Sequence, residues 1–261
     1  MTLKSISKLF RDAPEGRLND QVLLDYLNSV ATIQDDGIQK RLLSELIRKY
    51  VILERRVDDL LKNTLPETVA DEIKYGGRFV PRSLDCTILF SDIAGFTRLA
   101  ERISGEMLIE LLDGLFRGMD DLAVIFRGTK IKTIGDAYMV VFGAPVAYET
   151  HAVMAVKTGM AFLKLVDSFN RQNDQDLQIR IGIHSGRVMA GVVGKERMQF
   201  DIFGDNVNIA SRFESSGEKG KVNVSYETYI RTREYFEFQE RGEIALKNKA
   251  NMRAYFAVKE R

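Results

Sequence analysis

The chain has 261 residues, enough for one or two domains with a substantial buried core. Its 38 Lys and Arg against 37 Asp and Glu leave a formal charge of +1, which gives no electrostatic ground for nucleic acid or an anionic membrane as partner. The single cysteine, Cys86, excludes an intrachain disulfide, and no Cys/His zinc pattern is present. The start, MTLKSISKLFRDAPEG, lacks the sustained apolar core of a secretory signal, and no apolar run approaches the roughly 18 residues that cross a bilayer. A cytoplasmic location, with no membrane segment in this chain, is the expectation.

Residues 1–39 read as an N-terminal helical segment, with Leu18, Val22, Tyr26, Leu27 and Val30 at helical spacing before Asp35-Asp36-Gly37 interrupts the pattern. Residues 40–79 are more regular. Leu43, Leu46, Tyr50, Leu53, Val57, Leu60 and Thr64 alternate three and four apart, the spacing of a heptad seam. In a parallel pair, Lys49 would face Glu54 of the partner helix. Such a stripe can also pack within its own domain, but the pattern favours a dimerising coiled coil. Pro66 then disfavours helical geometry at Leu65, and a short helix over 67–74 is expected to stop at Gly76-Gly77.

A globular domain is expected over 80–261. Residues 84–91 read as a strand and 105–126 as a long helix. KIKTI and AYMVVF flank Gly135-Asp136 as a hairpin. A helix covers about 148–170, IRIGIHSG and RVMAGVVG read as strands around 178–194, and a shorter helix opens near Asp205. Mixed order with a hairpin predicts an α+β fold rather than a doubly wound parallel sheet. No dinucleotide-binding or P-loop motif is present.

Three constellations carry chemistry. In TILFSDIAGFTRLA, Asp92 lies just beyond a buried-strand pattern, and a helix opens past Gly95 near Thr97. A carboxylate beside a helix N-terminus can hold a hard cation next to an anion. In KTIGDAYM, Asp136 supplies a second carboxylate at the hairpin turn, with Lys132 four residues before it. Two strand-end carboxylates suit metal-assisted phosphoryl chemistry. In QFDIFGDNVNIASRFES, Asp201 lies on a short strand, and Asn208 and Arg212 stand four apart on one helix face, able to clamp sugar and phosphate oxygens. Each feature alone has a bland reading: a turn or capping Asp, an edge lysine, a wet helix face.

Together FSDIAGFT, KTIGDAYM, RIGIHSGRVMAGVVG and FDIFGDNVNIASR resemble the class III nucleotidyl cyclases over about residues 80–258. The resemblance implies a ferredoxin-like α+β catalytic domain and a homodimer whose active sites are shared across the interface. It implies two Mg²⁺ or Mn²⁺ ions per site on Asp92, Asp136 and the Ile93 carbonyl, with Gly95, Phe96 and Thr97 presenting backbone groups to the phosphates. Arg180 and Lys247 would contact the triphosphate, with Lys249 an alternative to Lys247, and Asn208 and Arg212 would orient the ribose and stabilise the transition state. Phe203 stands where many relatives have Trp, at a position expected to pack. The base-reading pair would be Lys132 and Asp201, as in relatives that act on ATP; relatives that act on GTP carry Glu and Cys. The resemblance therefore implies an adenylyl cyclase, a lyase making 3′,5′-cyclic AMP and pyrophosphate for signal transduction. A guanylyl cyclase and a catalytically inactive nucleotide-sensing module are the alternatives. LLKNTLPETVADEIKYGG resembles the helical transducer that precedes many bacterial cyclase domains, so an upstream sensory domain is possible in a longer protein.

Overall fold

A computed structural model describes residues 20–195, 197–245 and 251–261, in two compact units that divide between Asn63 and Thr64. Within the first unit, α1 covers Asp20–Ala31 and α2 covers Asp36–Lys62. The Asp35 carboxylate accepts from the N–H groups of Gly37 and Ile38 at 2.9 and 3.0 Å. The triplet that ends the first helical pattern thus caps the next helix. Tyr26 and Val30 of α1 bury against Leu42, with Leu43 and Leu46 packed alongside. The two leading positions of the expected seam therefore serve the chain's own helix pair. Tyr50, Leu53, Val57 and Leu60 remain exposed, and Lys49 reaches Glu45 on its own helix at 3.5 Å.

The second unit opens with α3, Glu67–Gly76, which ends where Gly77 takes a left-handed φ of 76°. Next come β1 (Arg82–Ile93), α4 (Phe96–Ala100), α5 (Gly105–Ile125), β2 (Gly128–Ile134), β3 (Ala137–Phe142) and α6 (His151–Asn173). The chain continues through β4 (Ile179–Val193), β5 (Gln199–Phe203), α7 (Asp205–Ser215), β6 (Val222–Ser225), α8 (Tyr226–Thr232), β7 (Phe236–Ile244) and β8 (Met252–Glu260). The two segments expected as separate strands around 178–194 form the single long β4. The described strands make one sheet in the order β2-β3-β1-β4-β6-β8-β7, with β5 paired to β4 off this path. This is the expected α+β arrangement.

Alternation along β4 decides where the helices lie. Ile179, Ile181 and Ile183 join the main core with Leu115 and Met119 of α5 and Val156 and Phe162 of α6. Burying each such side chain contributes about 1.5–3 kcal/mol. Gly182 and His184 point to the opposite face. There Phe213 of α7 stacks on the His184 ring at 6.2 Å between centroids. A Cβ on Gly182 would lie 1.9 Å from the Glu214 backbone nitrogen, so only glycine lets α7 rest on the strand. Cys86 is buried in β1, and burial pushes its thiol up to about 12. Among the described residues no helix is long and apolar enough to cross a membrane.

Candidate active site

β1 carries its apolar run to Ile93 and delivers Asp92 at its end, half-buried, opposite Arg180 on β4. Asp136 occupies the β2–β3 turn, where Gly135 supplies the positive φ of 63°. The two carboxyl groups meet: burial, then the hydrogen bond and charge of Asp92, push the Asp136 carboxyl up to about 6. The N–H groups of Asp136 and Ile93 pull the other way. Like charges held in contact make a place where a cation would replace a shared proton. Among the described residues no three His, Cys, Asp or Glu side chains gather into a cage. The donors that meet here are two carboxylates, the hard-oxygen chemistry of a cation that also binds phosphate.

Arg180 links this pair to α7. One end nitrogen of its guanidinium donates to Asp92 Oδ2 at 2.5 Å, and Nε donates to Glu214 Oε1 at 3.0 Å. Glu214 is buried, and burial, with Asp92 and Asp136 adding to it, pushes its carboxyl up to about 7 against the pull of Arg180. Sequence reasoning passed over Glu214. Its signal was available: it stands four residues after the small Ala210, on the inward face of an amphipathic helix, where a carboxylate needs a partner.

A second cluster forms around β5. Lys132 lies just after an irregularity in the β2–β3 pairing and forms an ion pair with the buried Asp201. The other Asp201 oxygen accepts from the Ile202 N–H at 2.9 Å, which fixes the carboxylate. Gly204 takes the N-cap position of α7 and Asp205 its first turn, without a side-chain cap. Asn208 is exposed and Arg212 half-buried on that helix. Phe203 is exposed at the end of β5, so the expected packing role is not played within this chain. Gly95 is left-handed at φ 82° and leads into α4, where its carbonyl accepts from the N–H groups of Arg98 and Leu99 at 3.1 and 3.3 Å. Lys247 and Lys249 lie outside the described residues.

The sequence profile described as "Adenylate and Guanylate cyclase catalytic domain" matches residues 80–259. The receptor-type guanylate cyclase gcy-28 of Caenorhabditis elegans is 35% identical over 262 residues, covering 97% of this chain and 20% of that protein. The adenylyl cyclase CyaB from P. aeruginosa superposes with a TM-score of 0.68 at 34% identity, over 70% of this chain and 98% of that one. The guanylate cyclase domain of RhGC from Catenaria anguillulae, in complex with GTP, gives 0.67 at 32% identity, over 69% and 100%. The chain spans 20% to 37% of the length of the curated relatives it matches.

Proposed function

Since this chain belongs to the adenylate and guanylate cyclase catalytic domain family, we propose that it converts ATP to 3′,5′-cyclic AMP and pyrophosphate as a homodimer in signal transduction. Family membership leaves the base open, because the relatives include guanylate and adenylyl cyclases. The observation that carries ATP is the meeting of Lys132 with Asp201. A lysine N–H can donate to adenine N1, and a carboxylate can accept from the exocyclic amine. Guanine presents an N1–H and an O6 instead, setting donor against donor and acceptor against acceptor. Buried polar groups left unpaired in this way discriminate strongly. The names of the curated relatives favour guanylate chemistry; the chemistry of this pair opposes it.

The residues at the β1 end fit divalent cations, with Asp92, Asp136 and the Ile93 carbonyl as ligands. Two Mg²⁺ or Mn²⁺ ions bound there would activate the ribose 3′-oxygen and neutralise the departing pyrophosphate. The chain's own groups do the positioning. Arg180 has five N–H donors in a planar fork, so donors remain for a phosphate oxygen beyond those on Asp92 and Glu214. The turn at Gly95, Phe96 and Thr97 offers backbone N–H groups to the phosphates, and Lys247 adds a charge to the triphosphate. Asn208 and Arg212 orient the ribose and stabilise charge developing at the α-phosphate. Asp92 and Asp136 of one protomer act with Lys132, Asp201, Asn208, Arg212 and Lys247 of its partner. A nucleotide-sensing module without activity would be expected to lack one of these groups, and none is missing from the sequence.

The test is incubation of purified protein with ATP or GTP and Mn²⁺, with the product identified. Cyclic AMP as the main product is expected. Equal turnover of GTP would overturn the base assignment and leave the cyclase assignment standing; no cyclic product from either would overturn both.

A further inference from the structure

The chain has two histidines, and both are buried. They lie on one continuous run of hydrogen bonds that passes from the α6 face of the sheet to the α7 face around the end of β6. At one end an Arg231 guanidinium nitrogen stands 3.3 Å from His151 Nε2, and His151 Nδ1 stands 2.7 Å from Thr87 Oγ1. Thr87 Oγ1 meets Ser185 Oγ at 2.7 Å, Ser185 meets Thr228 Oγ1 at 2.9 Å, and Thr228 meets Ser225 Oγ at 3.4 Å. Ser225 Oγ is 2.8 Å from His184 Nδ1, and His184 Nε2 is 2.9 Å from Asn206 Oδ1. At the far end Asn206 Nδ2 donates to the Arg187 carbonyl at 2.7 Å.

The two ends fix the direction of every link. Arginine only donates and a carbonyl only accepts. His151 must therefore accept at Nε2, which places its proton on Nδ1 toward Thr87. Each hydroxyl then accepts from one neighbour and donates to the next, through Thr87, Ser185, Thr228 and Ser225. Ser225 donates to His184 Nδ1, so the His184 proton is on Nε2, facing the Asn206 oxygen. One polarity satisfies the whole run, and it requires two neutral imidazoles in opposite tautomers.

Asn206 lies in the first turn of α7, two residues before Asn208. We propose that this run is a positioning device for α7, holding Asn208 and Arg212 in register only while His151 is protonated on Nδ1 and His184 on Nε2. The inference rests on the catalytic roles given above to Asn208 and Arg212. Burial holds both imidazoles below the usual histidine range, in keeping with neutral rings. The charged groups facing His151 are Arg231 of α8 and Asp85 of β1; those facing His184 are Glu227 and Arg231 of α8 and Asp205 of α7. Protonating His151 would set an N–H and a second positive charge against Arg231. Protonating His184 would set an N–H against the Ser225 hydroxyl, while Glu227 Oε2, buried, without a hydrogen-bond partner and 3.6 Å from Nδ1, stands ready to accept it. The run thus has an ordered neutral state and a competing acid state.

The experiment is ¹⁵N NMR of the full chain with labelled histidine at pH 8. Its two imidazoles are told apart by a His151→Gln variant. One ring protonated on Nδ1 and the other on Nε2 is expected. Identical tautomers, a mixture, or an imidazolium at that pH would overturn the proposal, whatever the activity. In assays with ATP and Mn²⁺, Asn206→Ala should lower kcat by about tenfold or more, since small misplacements of reacting groups are costly, with KM little changed. His184→Gln, which keeps a donor near Nε2, should retain more turnover per folded molecule than His184→Asn, which does not. Turnover by Asn206→Ala and His184→Asn within twofold of wild type would overturn the positioning role. Wild-type protein that cyclises no nucleotide would instead remove the catalytic reading, leaving the tautomer result to stand or fall alone.

Discussion

At the scale of single residues, Gly182 and Glu214 show how tightly the site is built. A methyl group at Gly182 would strike the backbone of α7, which no side-chain rotation can relieve. Gly182→Ala should therefore cost about 3 kcal/mol or more, at the upper end of overpacking effects, read as a fall in Tm. Glu214 titrates up from 4.5 to about 7 because it is buried. Between those values the folded chain keeps a proton that the unfolded chain has released. Stability from this group is therefore full below about pH 4.5 and is lost as pH rises through about 7. Glu214→Gln should remove that slope, so the difference in Tm between variant and wild type should grow in the variant's favour from pH 5 to pH 8; parallel profiles would refute the assignment. Asp92→Ala or Asp136→Ala should cut cyclisation by at least about a hundredfold, the scale of losing preorganised charge stabilisation, while circular dichroism stays unchanged. Asp92 near the end of β1 and Asp136 in the hairpin turn stood out from their motifs, as did Lys132 and Asp201 inside β2 and β5; the structure brings each pair together, and the roles given to them are the proposal above. Glu214 and the His184 run did not stand out, since what defines them is which distant strand or helix they meet.

At the scale of elements, the hairpin at Gly135-Asp136, the long helices and the α+β order were readable from periodicity and turn chemistry. The single β4 was not: Ser185-Gly186 looks like a break in one dimension, yet pairing with β1 continues through both residues, Thr87 with Ser185 and Cys86 with Gly186. The helical spacing in α2 was also readable, but not its division of labour. Leu43 and Leu46 pack with α1, whereas Tyr50, Leu53, Val57 and Leu60 form the exposed part of the stripe. The dimer test therefore belongs on the later positions. Leu53→Asp with Leu60→Asp would place charge in an apolar seam and should make activity per chain fall more steeply on dilution. An unchanged dilution curve, with unchanged mass by analytical ultracentrifugation, would show that α2 does not hold two chains together.

At the scale of the whole molecule, the proposed sharing of the site predicts complementation. Asp92→Ala and Asn208→Ala chains, each inactive alone, should regain about half of wild-type activity per mixed dimer when subunits exchange, because one of two sites is then intact. Exchange without recovery would sink the shared site. Cys86 makes such work practical. The thiolate is the reactive form, and burial inside β1 pushes this thiol up to about 12, so it should resist thiol reagents while the chain is folded. A cysteine introduced at Leu60 or Asn208 would then be the one thiol open to a fluorophore or spin label, with the native residue left in place. The protein is thus suited to distance measurements between the protomers of the proposed dimer, and slow release of the native thiol to a colorimetric reagent would serve as a clock for global unfolding.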